Sequence, residues 1–325
     1  MDKLSRLFIN RFQGGLPIVE HPYSSMASVL HSDETTLISS IKDLLENGSL
    51  SRFGPLYNSA CMGGGLTLAA LSVSEENFDH VAELVNSLPE IAHNYRREHD
   101  LNMWFVIATE TPQEVQQAID KIEHLTGLTV YNFPKIQEFY LGLWLSLDED
   151  GGVTTRSIDI PTHYKNTIID QLDRKIIQAT QKGLPLEPSP FTAIAAQCDC
   201  DTKTAINRLK RMLDNGVIRR IGAVPNHYKL GLRSNGMSVW DIPGDRLNIL
   251  GKKIGKLDFV SHCYERPRSL PLWPYNLFAM VHGHSRDEVN RKVDQIAELV
   301  GSDCDQHEVL FSTRILKKSG LRLVA

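Results

Sequence analysis

Apolar residues recur at helical spacing in some segments of the chain and at strand spacing in others. Between 173 and 221 the pattern predicts a helix, a second helix from 191, a third helix and a short strand. Asp201 provides an N-cap for the third helix, and Asn215-Gly216 ends it. A matching third helix is predicted at 33–46. This order is typical of a winged helix-turn-helix.

A second pattern follows each of these segments and predicts the order β-α-β-β-α-β. In the first half the elements are predicted at 66–73, 76–88, 91–97, 102–108, 112–126 and 136–143. In the second half they are predicted at 234–240, 245–257, 260–266, 276–282, 286–300 and 308–313. This order is that of a ferredoxin-like split βαβ domain.

Short motifs show that the two halves are copies of one unit. Gly15-Leu16-Pro17 recurs as Gly183-Leu184-Pro185, and Arg52-Phe53-Gly54 recurs as Arg220-Ile221-Gly222, both 168 residues later. We therefore predict an α+β tandem duplication in which each half is a winged helix followed by a ferredoxin-like domain. The predicted boundaries are 1–58 and 59–147 for the first half, 148–167 for a polar linker, and 168–230 and 231–325 for the second half.

Composition places the chain among globular proteins and argues against several other classes of protein. Its 325 residues are 42% hydrophobic and 23% charged, which is unlike a disordered or fibrous protein. No apolar run reaches the roughly 20 residues needed to span a bilayer, and the N-terminus lacks a secretion signal pattern. The five cysteines form no CxxC pair, as expected for reduced thiols. We expect a cytoplasmic protein without membrane contact or a metal of its own.

The winged helices raise the alternative of DNA binding, which requires a basic surface. The net charge is −4. The third helix of the second half carries Lys203, Arg208, Lys210 and Arg211, but its counterpart at 32–46 holds four acidic residues and one lysine. An acidic helix repels phosphate, so we expect no nucleic-acid partner. A winged helix kept for packing and assembly is the favoured interpretation.

The strongest chemical pattern lies on the second predicted strand of each ferredoxin-like domain. Residues two apart in a strand point to the same face. One face is therefore predicted to carry His93, Tyr95 and Arg97, and its copy to carry His262, Tyr264 and Arg266. Histidine transfers protons near neutral pH, and arginine binds carboxylates with two hydrogen bonds. The pair of triads suits a flat anionic ligand, and the alternative is a solvated polar sheet face.

The halves differ beyond these triads. Only the first half has His99, while the second half has a proline-rich loop at 267–274 that includes Arg268. Asn102 and Asn276 either orient a ligand or hold a strand edge, and Trp104 follows the first of them in a mainly core segment. Four further histidines are predicted to be surface or capping residues: His227, His282, His284 and His307. Gly63-Gly64-Gly65 lacks the lysine of a phosphate-binding loop.

Longer motifs identify a family resemblance. The segments at 172–177, 208–223 and 226–232 resemble the Lrp/AsnC family of regulators. His-Asn-Tyr-Arg-Arg-Glu-His at 93–99 resembles the D-type half of the sirohaem decarboxylase family, and the segments at 260–268 and 273–283 resemble its L-type half. The likeness covers nearly the whole chain. The chain is therefore similar to the fused NirD–NirL type, which acts in haem d1 biosynthesis.

The resemblance implies that two acetate groups of sirohaem are decarboxylated to give didecarboxysirohaem without an organic cofactor. It implies His93 and His99 as the acid/base pair, or one of them as a contact to the substrate iron. Carboxylates would be held by Tyr95, Arg96 and Arg97. The second-half candidates form either another pocket or a wall of the first: His262, Tyr264, Arg266 and Arg268. A pseudo-dimer within one chain, further copies and sister subunits are the expected partners. A tetrapyrrole-sensing regulator is the alternative.

Overall fold

The computed structural model describes residues 1–158 and 168–318. The first half contains α1 (Lys3–Phe12), α2 (Pro22–Val29), α3 (Glu34–Glu46), β1 (Leu50–Tyr57), β2 (Gly65–Leu71), α4 (Phe78–Ser87), β3 (Ile91–Arg97), β4 (Met103–Thr109), α5 (Gln113–Thr126), β5 (Tyr131–Pro134), β6 (Gln137–Leu141), β7 (Trp144–Leu147) and β8 (Val153–Arg156). The second contains α6 (Gln171–Thr180), α7 (Pro190–Gln197), α8 (Thr202–Asp214), β9 (Ile218–Pro225), β10 (Ser234–Trp240), α9 (Gly244–Gly255), β11 (Val260–Glu265), β12 (Leu277–Gly283), α10 (Arg286–Val300) and β13 (His307–Lys318). Short 3-10 helices lie at Ser59–Met62, Glu75–Asn77 and Gly301–Asp303. The predicted α+β class and duplication are confirmed.

The two winged helices are joined through their strands. Asp201 caps α8 as predicted, and Asp33 caps α3 in the same way, each accepting a hydrogen bond from the backbone N–H three residues later. Strand β1 pairs antiparallel with β9, with Gly54 opposite Gly222. A Cβ on Gly222 would overlap the carbonyl oxygen of Phe12, so only glycine allows the halves to approach this closely.

The last strand of each ferredoxin-like domain, β6 in the first half and β13 in the second, pairs with a strand of the other half. The nine strands run in the order β5-β2-β4-β3-β13-β10-β12-β11-β6. The first part of β13 pairs with β10, and its second part pairs with β3 of the first half. Strand β6 pairs with β11 of the second half. The exchange covers edges of β3 and β11 that would otherwise present unpaired backbone groups.

This exchange corrects two predicted strands. The strand predicted at 136–143 is found as β6, but it pairs with β11 of the second half, and the place beside β2 is taken by β5, a strand outside the prediction. Ile136 already donates its backbone N–H to Glu265 O at 2.9 Å. The strand predicted at 308–313 extends to Lys318, because its second part is paired with β3. Strands β5 and β6 form the two ends of the nine-stranded sheet, but only residues 135 and 136 separate them in the chain. The two ends of the sheet therefore lie close together.

Part of the predicted linker at 148–167 is a regular hairpin. Strand β8 pairs with β7, and α1 holds this hairpin against the first winged helix. The Gln13 side chain donates to Leu145 O at 2.7 Å and accepts from Leu145 N at 3.0 Å. Asn10 makes the same pair of bonds with Leu147, at 2.9 Å each. Residues 159–167 of the predicted linker lie outside the described residues.

The inner faces of the two half-sheets pack on each other. Helices α4 and α5 cover the outer face of the first half, and α9 and α10 cover that of the second. Between the inner faces, Trp104 stacks on Phe133 with 5.4 Å between ring centres and lies 5.0 Å from Trp273 of the second half. The expected pseudo-dimer is therefore formed within one chain. In the described ranges, each helix is too short or too polar to cross a membrane.

Candidate functional site

Both predicted triads face one cavity between the inner sheet faces. Its volume is about 330 Å³, within the lower range of small-molecule sites. The side chains lining it include His93, Tyr95, Arg97, His262, Tyr264 and Arg266. Ring centres of histidine and tyrosine lie 6.3 Å apart in the first triad and 5.9 Å apart in the second. The alternation of strand residues places each triad on one face, as predicted.

The two arginines bring buried positive charge to this cavity. Arg97 donates from Nη1 to Leu310 O at 2.7 Å, and Arg266 donates from Nη1 to Phe133 O. Both Nε atoms are buried, and neither has a hydrogen-bond partner among residues 1–158 and 168–318. Among the described residues, neither guanidinium forms an ion pair with a carboxylate. Burial lowers the pKa of each to about 10, so both stay charged at neutral pH. This arrangement favours an anionic ligand.

The two triad histidines are neutral in the free protein. Burial lowers the pKa of His262 to about 4. Burial, assisted by the charge of Lys318, also lowers the pKa of His93 to about 4. Their hydrogen bonding differs, since Nδ1 of His262 lies 2.6 Å from Ser261 Oγ, whereas the buried Nδ1 of His93 has no partner in the part of the chain that the structure describes.

The sequence interpretation missed several residues that line the cavity. They are His227, Tyr228, Asn235, His282 and Lys318. The prediction that His227 and His282 are surface or capping residues is wrong. His282 is only 4% exposed, and its ring nitrogens lie 2.6 Å from Ser261 Oγ and from Asn235 Oδ1. Strand alternation could have found it, because Phe278, Met280 and His282 all line the cavity along β12.

Five proposed site residues lie outside the cavity: His99, Arg96, Arg268, Asn102 and Asn276. His99 follows the end of β3, accepts at Nδ1 from Leu101 N at 2.8 Å, and packs edge-on to Trp273. It is therefore not brought beside His93 as an acid/base pair requires. Arg96 points to the opposite face, where it pairs with Glu75. Arg268 is held by Asp241 and the carbonyl oxygen of Pro274.

The two asparagines hold strand edges, which is one of the two predicted roles. Asn102 donates to Val73 O at 2.7 Å and accepts from Val73 N at 3.0 Å. Asn276 makes the equivalent pair of bonds with Ile242, at 2.9 Å each. Trp104 lines the cavity, and its indole N–H donates to Leu101 O at 2.6 Å. The asparagines are equivalent parts of the duplicated framework.

Part of the positive charge on the second-half winged helix is paired with carboxylates of the protein itself. Arg208 pairs with Asp170 and Asp173, and Arg211 also pairs with Asp173, whose side chain is fully buried. These carboxylates reduce the positive charge that α8 offers to phosphate. Within residues 1–158 and 168–318, no three histidine, cysteine or acidic side chains come together as a metal site would need.

Two family models match this chain. The model described as "AsnC-like ligand binding domain" matches residues 64–140 and 229–317. The model described as "Siroheme decarboxylase NirDL-like HTH domain" matches residues 6–50 and 173–219. Each model therefore matches both halves, and together they follow the duplicated order of domains.

Curated relatives and a solved structure agree with these models. The sirohaem decarboxylase of Hydrogenobacter thermophilus is 31% identical, over 94% of this chain and 90% of its own. The sirohaem decarboxylase NirDL subunit of Paracoccus pantotrophus is 30% identical, over 98% and 97%. The NirH subunit of Pseudomonas aeruginosa is 56% identical, over 47% and 89%. A crystal structure of NirDL in complex with an iron-uroporphyrin III analogue matches with a TM-score of 0.73 and 27% identity, covering 98% of this chain and 92% of that one.

Proposed function

The chain belongs to the sirohaem decarboxylase family, and we propose on this basis that it removes two acetate carboxyl groups from sirohaem, giving didecarboxysirohaem in haem d1 biosynthesis. In this role it is a carbon–carbon lyase of the carboxy-lyase class. The observation that carries the proposal for this cavity is the pair of buried arginines, Arg97 and Arg266, whose Nε atoms have no partner among the described residues.

Unpaired buried donors indicate what the cavity binds. A buried donor without a partner costs about 1–3 kcal/mol, and a bound acceptor removes that cost. Arg97 and Arg266 lie in equivalent positions of the two halves, so they present two such donors to one ligand. Carboxylates are the acceptors that guanidinium binds best. The apolar side chains between them, including Trp104 and Phe278, suit the face of a macrocycle.

The reaction itself requires a bond cleavage and a proton. The bond between the acetate methylene and its carboxylate breaks, carbon dioxide leaves, and the electron pair stays on the methylene carbon, delocalised into the tetrapyrrole. One proton added to that carbon produces the methyl group. The balance is one carboxylate and one proton consumed for one carbon dioxide and one methyl group formed. It includes no net oxidation, so the proposed reaction needs no organic cofactor of the protein.

The proton is assigned to a cavity histidine. In the free protein His93 and His262 are neutral because burial lowers their pKa values to about 4. A substrate carboxylate bound nearby raises the pKa of an imidazole, so substrate binding itself promotes its protonation. We assign proton transfer to His93 and His262 and carboxylate binding to Arg97 and Arg266. Tyr95 and Tyr264 are assigned to orienting the ligand.

The remaining expectations stay predictions. They concern a cytoplasmic location, association with sister subunits or further copies, and the absence of a nucleic-acid partner. Proton donation by His99 has no geometric support, because its ring is bonded to Leu101 N and packed on Trp273 outside the cavity.

Anaerobic incubation with sirohaem and mass analysis of the tetrapyrrole tests the proposal. We expect successive loss of one and two carbon dioxide masses. Arg97→Met and Arg266→Met should each weaken sirohaem binding about 10- to 100-fold, because each removes a charged hydrogen bond. Arg96→Met is the matched control, since Arg96 lies on the same strand but points to the opposite face and should bind normally. Sirohaem bound without mass loss would indicate a sensor, and equal weakening by all three variants would refute this cavity as the site.

A further inference from the structure

A row of hydrogen bonds begins at His262 and continues through other side chains of the second half. Ser261 Oγ lies 2.6 Å from His262 Nδ1 and 2.6 Å from His282 Nε2. His282 Nδ1 lies 2.6 Å from Asn235 Oδ1, and Asn235 Nδ2 lies 3.2 Å from His227 Nε2. We call these linked side chains the histidine relay. Ser261, His282 and Asn235 are each less than a tenth exposed.

The Asn235 carboxamide sets the direction of the histidine relay. Its oxygen can only accept a hydrogen bond, so the proton of His282 is on Nδ1. Since burial lowers the pKa of His282 well below its ordinary value, the ring is neutral and its Nε2 accepts from Ser261. Ser261 then accepts in turn from Nδ1–H of His262. His262 is left with a lone pair on Nε2, and no side chain in the described part of the chain hydrogen-bonds to that atom.

The first half lacks this relay although its strands have the same register. His93 lies opposite Val106 as His262 lies opposite Met280, and the pair Leu66–Ala108 takes the place of Asn235–His282. Ala92 precedes His93 where Ser261 precedes His262. A methyl group cannot hydrogen-bond, which agrees with the buried His93 Nδ1 having no partner within the described ranges. The two triad histidines are therefore held differently.

We propose that Ser261, His282 and Asn235 are positioning residues that hold His262 with its proton on Nδ1 and its Nε2 lone pair available to the cavity, so that Nε2 takes up the proton that the reaction consumes and passes it to the substrate carbon. His93 has no such constraint, so its protonation follows the bound substrate alone. The expected effect of these residues on the decarboxylation rate rests on the proposed function. Removing a hydrogen bond that orients an imidazole typically reduces ligand affinity or activity 10- to 100-fold, as in outer-shell partners of metal-bound histidines.

The test uses the full chain labelled with ¹⁵N-histidine, studied by NMR without sirohaem. The ring-nitrogen shifts of His262, assigned by loss of its signals in His262→Gln, should show only the Nδ1–H tautomer. Ser261→Ala should give a mixture of tautomers, and Ser261→Thr, which keeps the hydroxyl, should restore the single form. Ser238→Ala is the matched control, because Ser238 is a buried serine of the same sheet bonded to Ala279 O and Trp240 Nε1. It should leave the His262 signals unchanged.

The same variants are then compared in the sirohaem mass assay. Ser261→Ala should decarboxylate roughly 10- to 100-fold more slowly while still binding sirohaem, whereas Ser261→Thr and Ser238→Ala should react at the normal rate. A wild-type His262 with its proton on Nε2, or unchanged His262 signals in Ser261→Ala, would overturn the histidine relay. Because the NMR arm contains no sirohaem, its failure refutes the relay alone. Absence of mass loss with the expected NMR result refutes the proposed function instead.

Discussion

Lowering the pH from about 7.5 to about 5 is expected to destabilise the folded chain through its cavity histidines. Burial lowers the pKa of His93, His227 and His262 to about 4, whereas an unfolded histidine titrates near 6.5. Between these values the unfolded chain binds protons that the folded chain does not, so stability falls as the pH drops below about 6.5. At about pH 5 each histidine accounts for a loss of about 2 kcal/mol, and the three together for about 6 kcal/mol.

Urea unfolding followed by tryptophan fluorescence at stepped pH measures this effect. At about pH 5.5 the slope of unfolding free energy against pH should correspond to about three protons taken up by these residues on unfolding and one more by His282, whose pKa burial also lowers well below its ordinary value. Carboxylates with lowered pKa values lose their contribution mainly below about pH 5, so the chosen window reports the histidines. His227→Gln should reduce the slope by about one proton, since it removes one of the four histidine rings whose pKa is lowered by burial. A constant unfolding free energy across the window would refute the reasoning.

Two further predictions test the contact between the halves and the helix surface. Gly222→Ala should destabilise the chain by about 1–3 kcal/mol in urea unfolding, because its Cβ would overlap Phe12 O, whereas Gly15→Ala enters open space and should be neutral; equal stability of the two variants would contradict this. A fluorescent DNA duplex at about 50 mM salt should show no binding by anisotropy, because α3 is acidic and Arg208 and Arg211 are paired with carboxylates. Binding that weakens steeply with added salt would contradict that expectation.

Much of this architecture could be predicted because the duplication repeats the sequence pattern of each element in both halves. Strand β3 is found at the predicted residues, and α10 likewise. The inward direction of His93 and His262 follows from strand periodicity once those strands are located. The same rule fails for His99, because it lies beyond the end of β3, where the alternation stops.

The pairing of the last strands could not be predicted from the same pattern. Hydrophobic alternation shows which face of a strand is buried, but it does not specify which neighbour forms the hydrogen bonds. The segment from Tyr131 to Leu141 changes partner between β5 and β6. The position of His282 near the end of its strand predicts a surface or capping residue, but its burial depends on Ser261 and Asn235 from other strands.

The exchange of β6 and β13 makes assembly of the cavity independent of dilution. In two separate half-length chains, the completed sheet would form only as far as the concentration of each partner allowed. Here both copies are on one chain, so the second half meets the first at the high effective concentration set by their tether. Arg97 and Arg266, which come from different halves, are therefore present in equal number in every folded molecule. Lowering the protein concentration changes how many cavities there are, but leaves each of them complete.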